Sequence, residues 1–84
     1  MSSEETFSRL YDSIINGNFE KSFEIFSDYV IVSQNQDFES ILDRIAIKIQ
    51  ENYQNGKINN ATLHVAQIIC QSLEKMNSEN QTFL

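Results

Sequence analysis

The chain has 84 residues, and its 12 acidic residues outnumber its 6 basic residues for a formal net charge of −6. A chain this short buries only roughly 60% of the surface that its unfolded form exposes, so we expect one domain over residues 1–84 with a core and no deep cavity. Binding to nucleic acids or anionic membranes depends on clustered Lys and Arg, which this sequence lacks.

The first predicted helix has its apolar residues on one stripe at helical spacing. They are Phe7, Leu10, Tyr11, Ile14 and Ile15. Gly17 follows the stripe, and glycine is common just past helix ends. Asn18 then suits the N-cap of a second helix.

The second helix carries a stripe of three aromatic residues and one valine, with Tyr29 beside it: Phe19, Phe23, Phe26 and Val30. After a polar connector, the third helix has a longer stripe and ends at Gly56. Its members are Phe38, Ile41, Leu42, Ile45, Ile49 and Tyr53.

Asn59 or Asn60 caps the fourth predicted helix. Its stripe consists of Ala61, Val65, Ile68, Ile69, Leu73 and Met76. Residues 77–84 are expected to form a frayed tail. Four amphipathic helices with short connectors predict an all-α, antiparallel four-helix bundle.

Few residues suit catalysis. His64 is the only histidine, and no nucleophile lies near it in the sequence. Cys70 is the only cysteine, which excludes an intramolecular disulfide and a cysteine-based zinc site; its apolar neighbours predict a buried thiol. We therefore expect no enzyme activity, no metal and no resident cofactor. We also expect a cytoplasmic location, since no apolar run is long enough to span a membrane.

Four apolar residues fall outside the predicted core stripes: Ile25, Ile31, Ile47 and Leu63. Single exposed apolar residues are normal, but a group of them can mark a contact surface. We therefore expect these four to contribute to a face that binds another protein or a second copy of the chain.

Two segments resemble the four-helix cap domain that precedes the cobalamin-binding domain in methionine synthase, corrinoid proteins and light-sensing cobalamin regulators. LYDSIINGNFEKSFEIF (Leu10 to Phe26) resembles its helix, glycine turn and second helix. ENYQNGKINNATLHVAQIIC (Glu51 to Cys70) is similar to its aromatic, glycine and isoleucine pattern before a helix.

The resemblance implies a surface lined by Tyr53, Leu63 and His64, because these occupy the places of a Trp and a Glu-His pair that cover the upper face of the corrinoid in the regulators. The carboxylate is replaced by Leu63. The family's Asp-x-His-x-x-Gly motif, which supplies the lower ligand, is absent from these residues. High-affinity cobalamin binding by this chain alone is therefore not expected.

Three functions stay open at this point. The favoured one is a non-enzymatic interaction or regulatory module. The second is a sensor or lid that binds a corrinoid, another tetrapyrrole or a small apolar molecule near Tyr53, Leu63 and His64. An enzyme is the least favoured, because few polar groups converge.

Overall fold

A computed structural model describes the backbone of residues 3–33 and 38–82 and the side chains of residues 4–30 and 38–79. These residues form four α-helices and no β-strand. The helices are α1 (Ser3–Ile15), α2 (Phe19–Ser33), α3 (Phe38–Gln54) and α4 (Asn60–Thr82). The all-α four-helix prediction is confirmed.

The turn between α1 and α2 combines a glycine stop with an asparagine cap. Gly17 has φ +69°, its amide donates to the Ile14 carbonyl at 3.0 Å, and the Asn18 amide donates to the Ser13 carbonyl at 2.9 Å. This pair of bonds satisfies the last carbonyls of α1. The Asn18 side chain then accepts from the Lys21 amide at 3.0 Å and caps α2.

The turn between α3 and α4 repeats this chemistry. Gly56 has φ +75°, its amide donates to the Tyr53 carbonyl, and the Lys57 amide donates to the Asn52 carbonyl at 2.8 Å. Asn59 Oδ1 accepts from the Thr62 amide at 2.9 Å. Asn59, rather than Asn60, is therefore the N-cap of α4.

Contacts between α1 and α3 establish the helix directions. Arg44 pairs with Glu4 at 2.9 Å, and further along both helices the Asn52 side chain bonds to the Tyr11 hydroxyl. The two helices are therefore parallel. Since a tight turn reverses the chain after each of them, α2 and α4 are parallel to each other and antiparallel to α1 and α3.

The core lies between the four helices, and α1 contacts each of the other three. Its members come from every helix: Phe7, Leu10, Ile14, Ile25, Phe26, Phe38, Ile41, Leu42, Ile45, Ile49, Ala66, Ile69, Cys70 and Leu73. The stripes predicted for the first and third helices are buried or partly buried as expected.

The predicted stripe of α2 was wrong in part. Phe19 and Phe23 are exposed, whereas Ile25, expected on the surface, is only 4% exposed. The reason is a close approach of α1 and α2 at small side chains: Ser13 Oγ lies 2.8 Å from Ser22 Oγ, and Ser22 is fully buried. The face that contains Ser22, and with it Ile25, therefore turns inward.

The predicted stripe of α4 was also wrong in part: Ile69 and Leu73 are buried and Met76 packs against the core, as expected, but Ala61 is exposed. Val65 and Ile68, expected in the core, are exposed, and the small Ala66 is fully buried instead. The helix also continues past Met76 to Thr82, with Asn77 buried, so the fourth helix is longer than expected. Phe83 and Leu84 of the expected tail lie outside the described residues.

Candidate functional site

The four residues predicted to bind a partner do not form one patch. Ile25 is in the core, Leu63 is half-buried and packs against the core, and Ile47 on α3 is 61% exposed. Ile31 belongs to α2, but its side chain lies outside the described part of the chain. Of the four, Ile47 is the one that the described structure places fully on the surface.

A different set of large apolar side chains is exposed on α2 and α4. Phe19 is 40% exposed, Phe23 43%, Val65 42% and Ile68 49%. We call these four residues the apolar face. Large exposed apolar side chains that lie together are a signature of contact surfaces.

The members of the apolar face lie at similar levels along the bundle. A Cβ added to Gly17 would lie 3.4 Å from Val65 Cγ1, so Val65 is level with the turn from which α2 begins at Phe19. Phe23 and Ile68 lie about one turn further along their helices. Because α2 and α4 are parallel and in contact, Phe19 lies close to the level of Val65, and Phe23 lies close to the level of Ile68.

The exposed rim of the apolar face on α2 is acidic. Glu20, Glu24 and Asp28 are exposed on this helix, and Lys21 lies 4.0 Å from Glu24. With one lysine against three carboxylates, α2 adds negative charge beside the apolar residues. Such a rim favours partners with complementary positive charge.

Tyr53, Leu63 and His64 all lie near the start of α4, but Leu63 faces the core. Leu63 packs against the core, whereas the next residue, His64, is exposed, because consecutive helical side chains point about 100° apart. The Tyr53 hydroxyl is already bonded to Asn60 Oδ1. Of the three, His64 alone presents an unobstructed side chain to solvent.

A second surface feature is a groove of about 490 Å³ between α1 and α3. The rings of Phe7 and Tyr11 stack at 6.3 Å between their centres. The Arg44 guanidinium lies 4.3 Å from the centre of the Phe7 ring, and the Lys48 ammonium lies 4.5 Å from the centre of the Tyr11 ring. Cations held over ring faces in this way are attracted by the ring quadrupole. We call the groove the α1–α3 groove; its lining residues are Phe7, Arg44, Ile47, Lys48, Glu51, Asn52, Asn55 and Lys57.

Arg44 forms an ion pair at this groove. Its guanidinium is 2.9 Å from one carboxylate oxygen of Glu4 and donates to the other at 3.2 Å. The hydrogen bond and the positive charge of Arg44 together lower the pKa of Glu4 from its usual 4.5. The guanidinium charge is therefore matched locally, and its planar group stays over the Phe7 ring.

The thiol of Cys70 is unsuited to nucleophilic chemistry. It lies at a smaller groove of about 340 Å³ between α3 and α4 and is only 8% exposed. Burial, with a further contribution from the charge of Glu74, raises the pKa of Cys70 from 9.0 to about 11. Since the thiolate is the reactive species, the thiol is unreactive near neutral pH.

The described residues offer neither a metal centre nor a membrane span. No group of three or more His, Cys, Asp or Glu side chains there could hold a metal ion. None of the helices in that part of the chain is long and apolar enough to cross a membrane.

Sequence reasoning missed the apolar face because it assigned the aromatic residues of α2 to the core. The available signal was the small residue on each helix, Ser22 on α2 and Ala66 on α4, since small side chains permit close helix contact. The α1–α3 groove had no signal of this kind, because it depends on which two helices become parallel neighbours.

No family model, curated protein or solved structure matches this chain.

Proposed function

We propose that this chain is a non-enzymatic, cytoplasmic interaction module that binds a partner protein through the apolar face. The observation that carries the proposal is the exposure of Phe19, Phe23, Val65 and Ile68 on two helices that contact each other. Aromatic residues at the centre of a surface patch are typical binding determinants. A single unpaired cysteine suits a reducing compartment.

The partner that fits this surface is an amphipathic helix with basic residues beside its apolar stripe. Two parallel helices in contact form a shallow groove along their line of contact, and a third helix binds such a groove by its apolar side chains. The carboxylates of Glu20, Glu24 and Asp28 lie on α2, where Lys or Arg side chains of a partner helix would complement them.

A second copy of the chain fits this surface less well. Each copy carries a net charge of −6, and association through the apolar face would bring two acidic α2 rims together. Like charges at close range disfavour such a complex. We therefore assign the apolar face to a foreign partner, with self-association as the competing outcome.

The test compares capture by four immobilised proteins: the wild type, Phe23→Ser, Ile68→Ser and Ile47→Ser. The last is a matched control, because Ile47 is an exposed isoleucine on α3, away from the apolar face. Captured proteins are identified, and binding is then reconstituted with the purified partner and with its amphipathic helix as a peptide. We expect Phe23→Ser and Ile68→Ser to weaken that binding at least about tenfold and Ile47→Ser to leave it unchanged.

Equal binding by all four proteins would refute the proposal, and so would a partner segment that is acidic rather than basic. Sedimentation equilibrium of the wild type provides the second arm. A monomer at all concentrations is expected, and a dimer abolished by Phe23→Ser would assign the surface to a second copy.

The exposure of His64 favours one alternative function, a lid or sensor for a corrinoid or another tetrapyrrole. The imidazole is accessible on α4 and could bind a metal at an axial position. Leu63 packs against the core and the Tyr53 hydroxyl bonds to Asn60 Oδ1, so His64 is the exposed member of the three. Absorbance titration with cobalamin and with haem tests it: a shift that His64→Ala abolishes supports the role, and an unshifted spectrum removes it.

A further inference from the structure

The α1–α3 groove lies on a different pair of helices from the apolar face and has a different composition. It is an open surface groove of about 490 Å³, and the charged side chains that line it are exposed. Both polar and apolar groups line it, including Ile47, which is 61% exposed.

The charges along this groove leave one positive charge unmatched. Arg44, Lys48 and Lys57 supply three positive charges, and Glu51 lines the groove with one negative charge. Glu4 neutralises Arg44 from the side. The balance of +1 contrasts with the −6 of the whole chain, so a ligand with one negative charge is complementary.

Both lysines line the groove. The Lys48 ammonium is positioned over the rings of Tyr11 and Phe7, at 4.5 Å and 5.4 Å from their centres. Lys57 follows Gly56 in the turn, and its amide is tied to the Asn52 carbonyl. Neither lysine forms an ion pair with another described residue, so both ammonium groups can bind an anion.

We infer that the α1–α3 groove binds a small molecule that combines one carboxylate with a compact apolar or aromatic body. The ammonium groups of Lys48 and Lys57 bind the carboxylate, and Ile47 contacts the apolar body. Burial of the exposed Ile47 side chain supplies an apolar contribution to binding, while the charge-assisted hydrogen bonds provide selectivity for the acid. This inference does not depend on the function of the apolar face.

The experiment titrates the ¹⁵N-labelled full chain with 1-naphthoate, with the neutral 1-naphthamide and with acetate. We expect 1-naphthoate to shift the backbone amide signals of α3 near Ile47 and of the turn at Lys57. It should bind about tenfold more tightly than 1-naphthamide, a difference of about 1.4 kcal/mol. Acetate, which lacks the apolar body, should bind more weakly than 1-naphthoate.

Three variants locate the charge requirement. Lys57→Gln removes the positive charge of an exposed side chain and should weaken 1-naphthoate binding about tenfold. Lys75→Gln, an exposed position on α4 outside this groove, is the matched control and should bind like the wild type. Glu4→Gln frees Arg44 from its carboxylate and should tighten binding.

Three results would overturn the inference. The first is equal affinity for 1-naphthoate and 1-naphthamide, and the second is an absence of amide shifts at α3 and the turn. The third is a loss of affinity in Lys75→Gln as large as in Lys57→Gln. Unchanged or weaker binding by Glu4→Gln would likewise contradict the assigned charge balance.

Discussion

The buried hydroxyl groups of α1 differ in their hydrogen bonding. Ser13 Oγ donates to the Leu10 carbonyl at 2.8 Å and contacts Ser22 Oγ, and Ser22 Oγ also bonds to the Asn18 carbonyl at 2.9 Å. Thr6 is 1% exposed, and its Oγ1 has no hydrogen-bond partner among the described residues. A buried polar group without a partner destabilises the folded state.

We therefore predict that Thr6→Val stabilises the protein by about 1 kcal/mol, since valine keeps the shape of threonine and removes the unsatisfied hydroxyl. Urea unfolding followed by circular dichroism measures the change. Ser13→Ala is the matched control, because it removes a buried hydroxyl that has partners. It should destabilise by about 1 kcal/mol; a loss of stability in Thr6→Val would show that its hydroxyl is satisfied.

Cys70 makes stability depend on pH above the neutral range. The folded protein keeps the thiol protonated up to a pKa of about 11, against 9.0 for the free group. The stability linked to this proton is fully present below pH 9 and is lost as the pH rises towards 11, because the unfolded chain ionises first. The urea midpoint should fall across this window in the wild type and fall less in Cys70→Ala. An identical pH profile for both proteins would contradict the buried thiol.

At the scale of the elements, the two glycine turns determine where α1 and α3 end. Gly56 has φ +75°, and a Cβ added there would meet no atom within 4 Å. The backbone conformation alone therefore disfavours an L-residue at this position.

Gly56→Ala should destabilise by about 1 kcal/mol, whereas D-alanine at the same position, introduced by chemical synthesis, should stabilise by roughly 0.4 to 1 kcal/mol. The D-residue adopts positive φ without strain and restricts the unfolded chain. Thermal unfolding of the three synthetic proteins compares them directly. Equal destabilisation by the two alanine enantiomers would mean that space, not φ, limits this turn.

The sequence predicted the number of helices, both glycine stops and the asparagine cap of α2, because local hydrogen-bond chemistry determines these features. It predicted the core stripes of α1 and α3, where large apolar residues occupy one face. It was wrong in part on α2 and α4, where the inward face includes Ser22 or Ala66. The periodicity of large apolar residues predicts which face of a helix is buried. On these two helices, however, the inward face is determined by small side chains that permit close contact with a neighbouring helix.

For the whole molecule, the same error explains why the predicted contact residues were partly wrong. Because Phe19 and Phe23 were assigned to the core, Ile25 was expected on the surface. In the structure Phe23 is exposed and Ile25 is buried. Ile47 was correctly expected on the surface, since it lies outside a complete stripe. The α1–α3 groove could not be predicted, because it requires the parallel arrangement of two helices that are distant in sequence.

The division between core and apolar face is the claim on which the proposed function rests, and one comparison on α2 tests it. The unfolding free energies of Phe23→Ala and Ile25→Ala are measured in urea. Ile25 is 4% exposed, so its truncation should cost about 2 to 5 kcal/mol. Phe23 is 43% exposed, with its ring beside that of Phe26, so its truncation should cost less than that of Ile25, about 1 kcal/mol. A larger loss for Phe23→Ala than for Ile25→Ala would place Phe23 in the core and contradict the account.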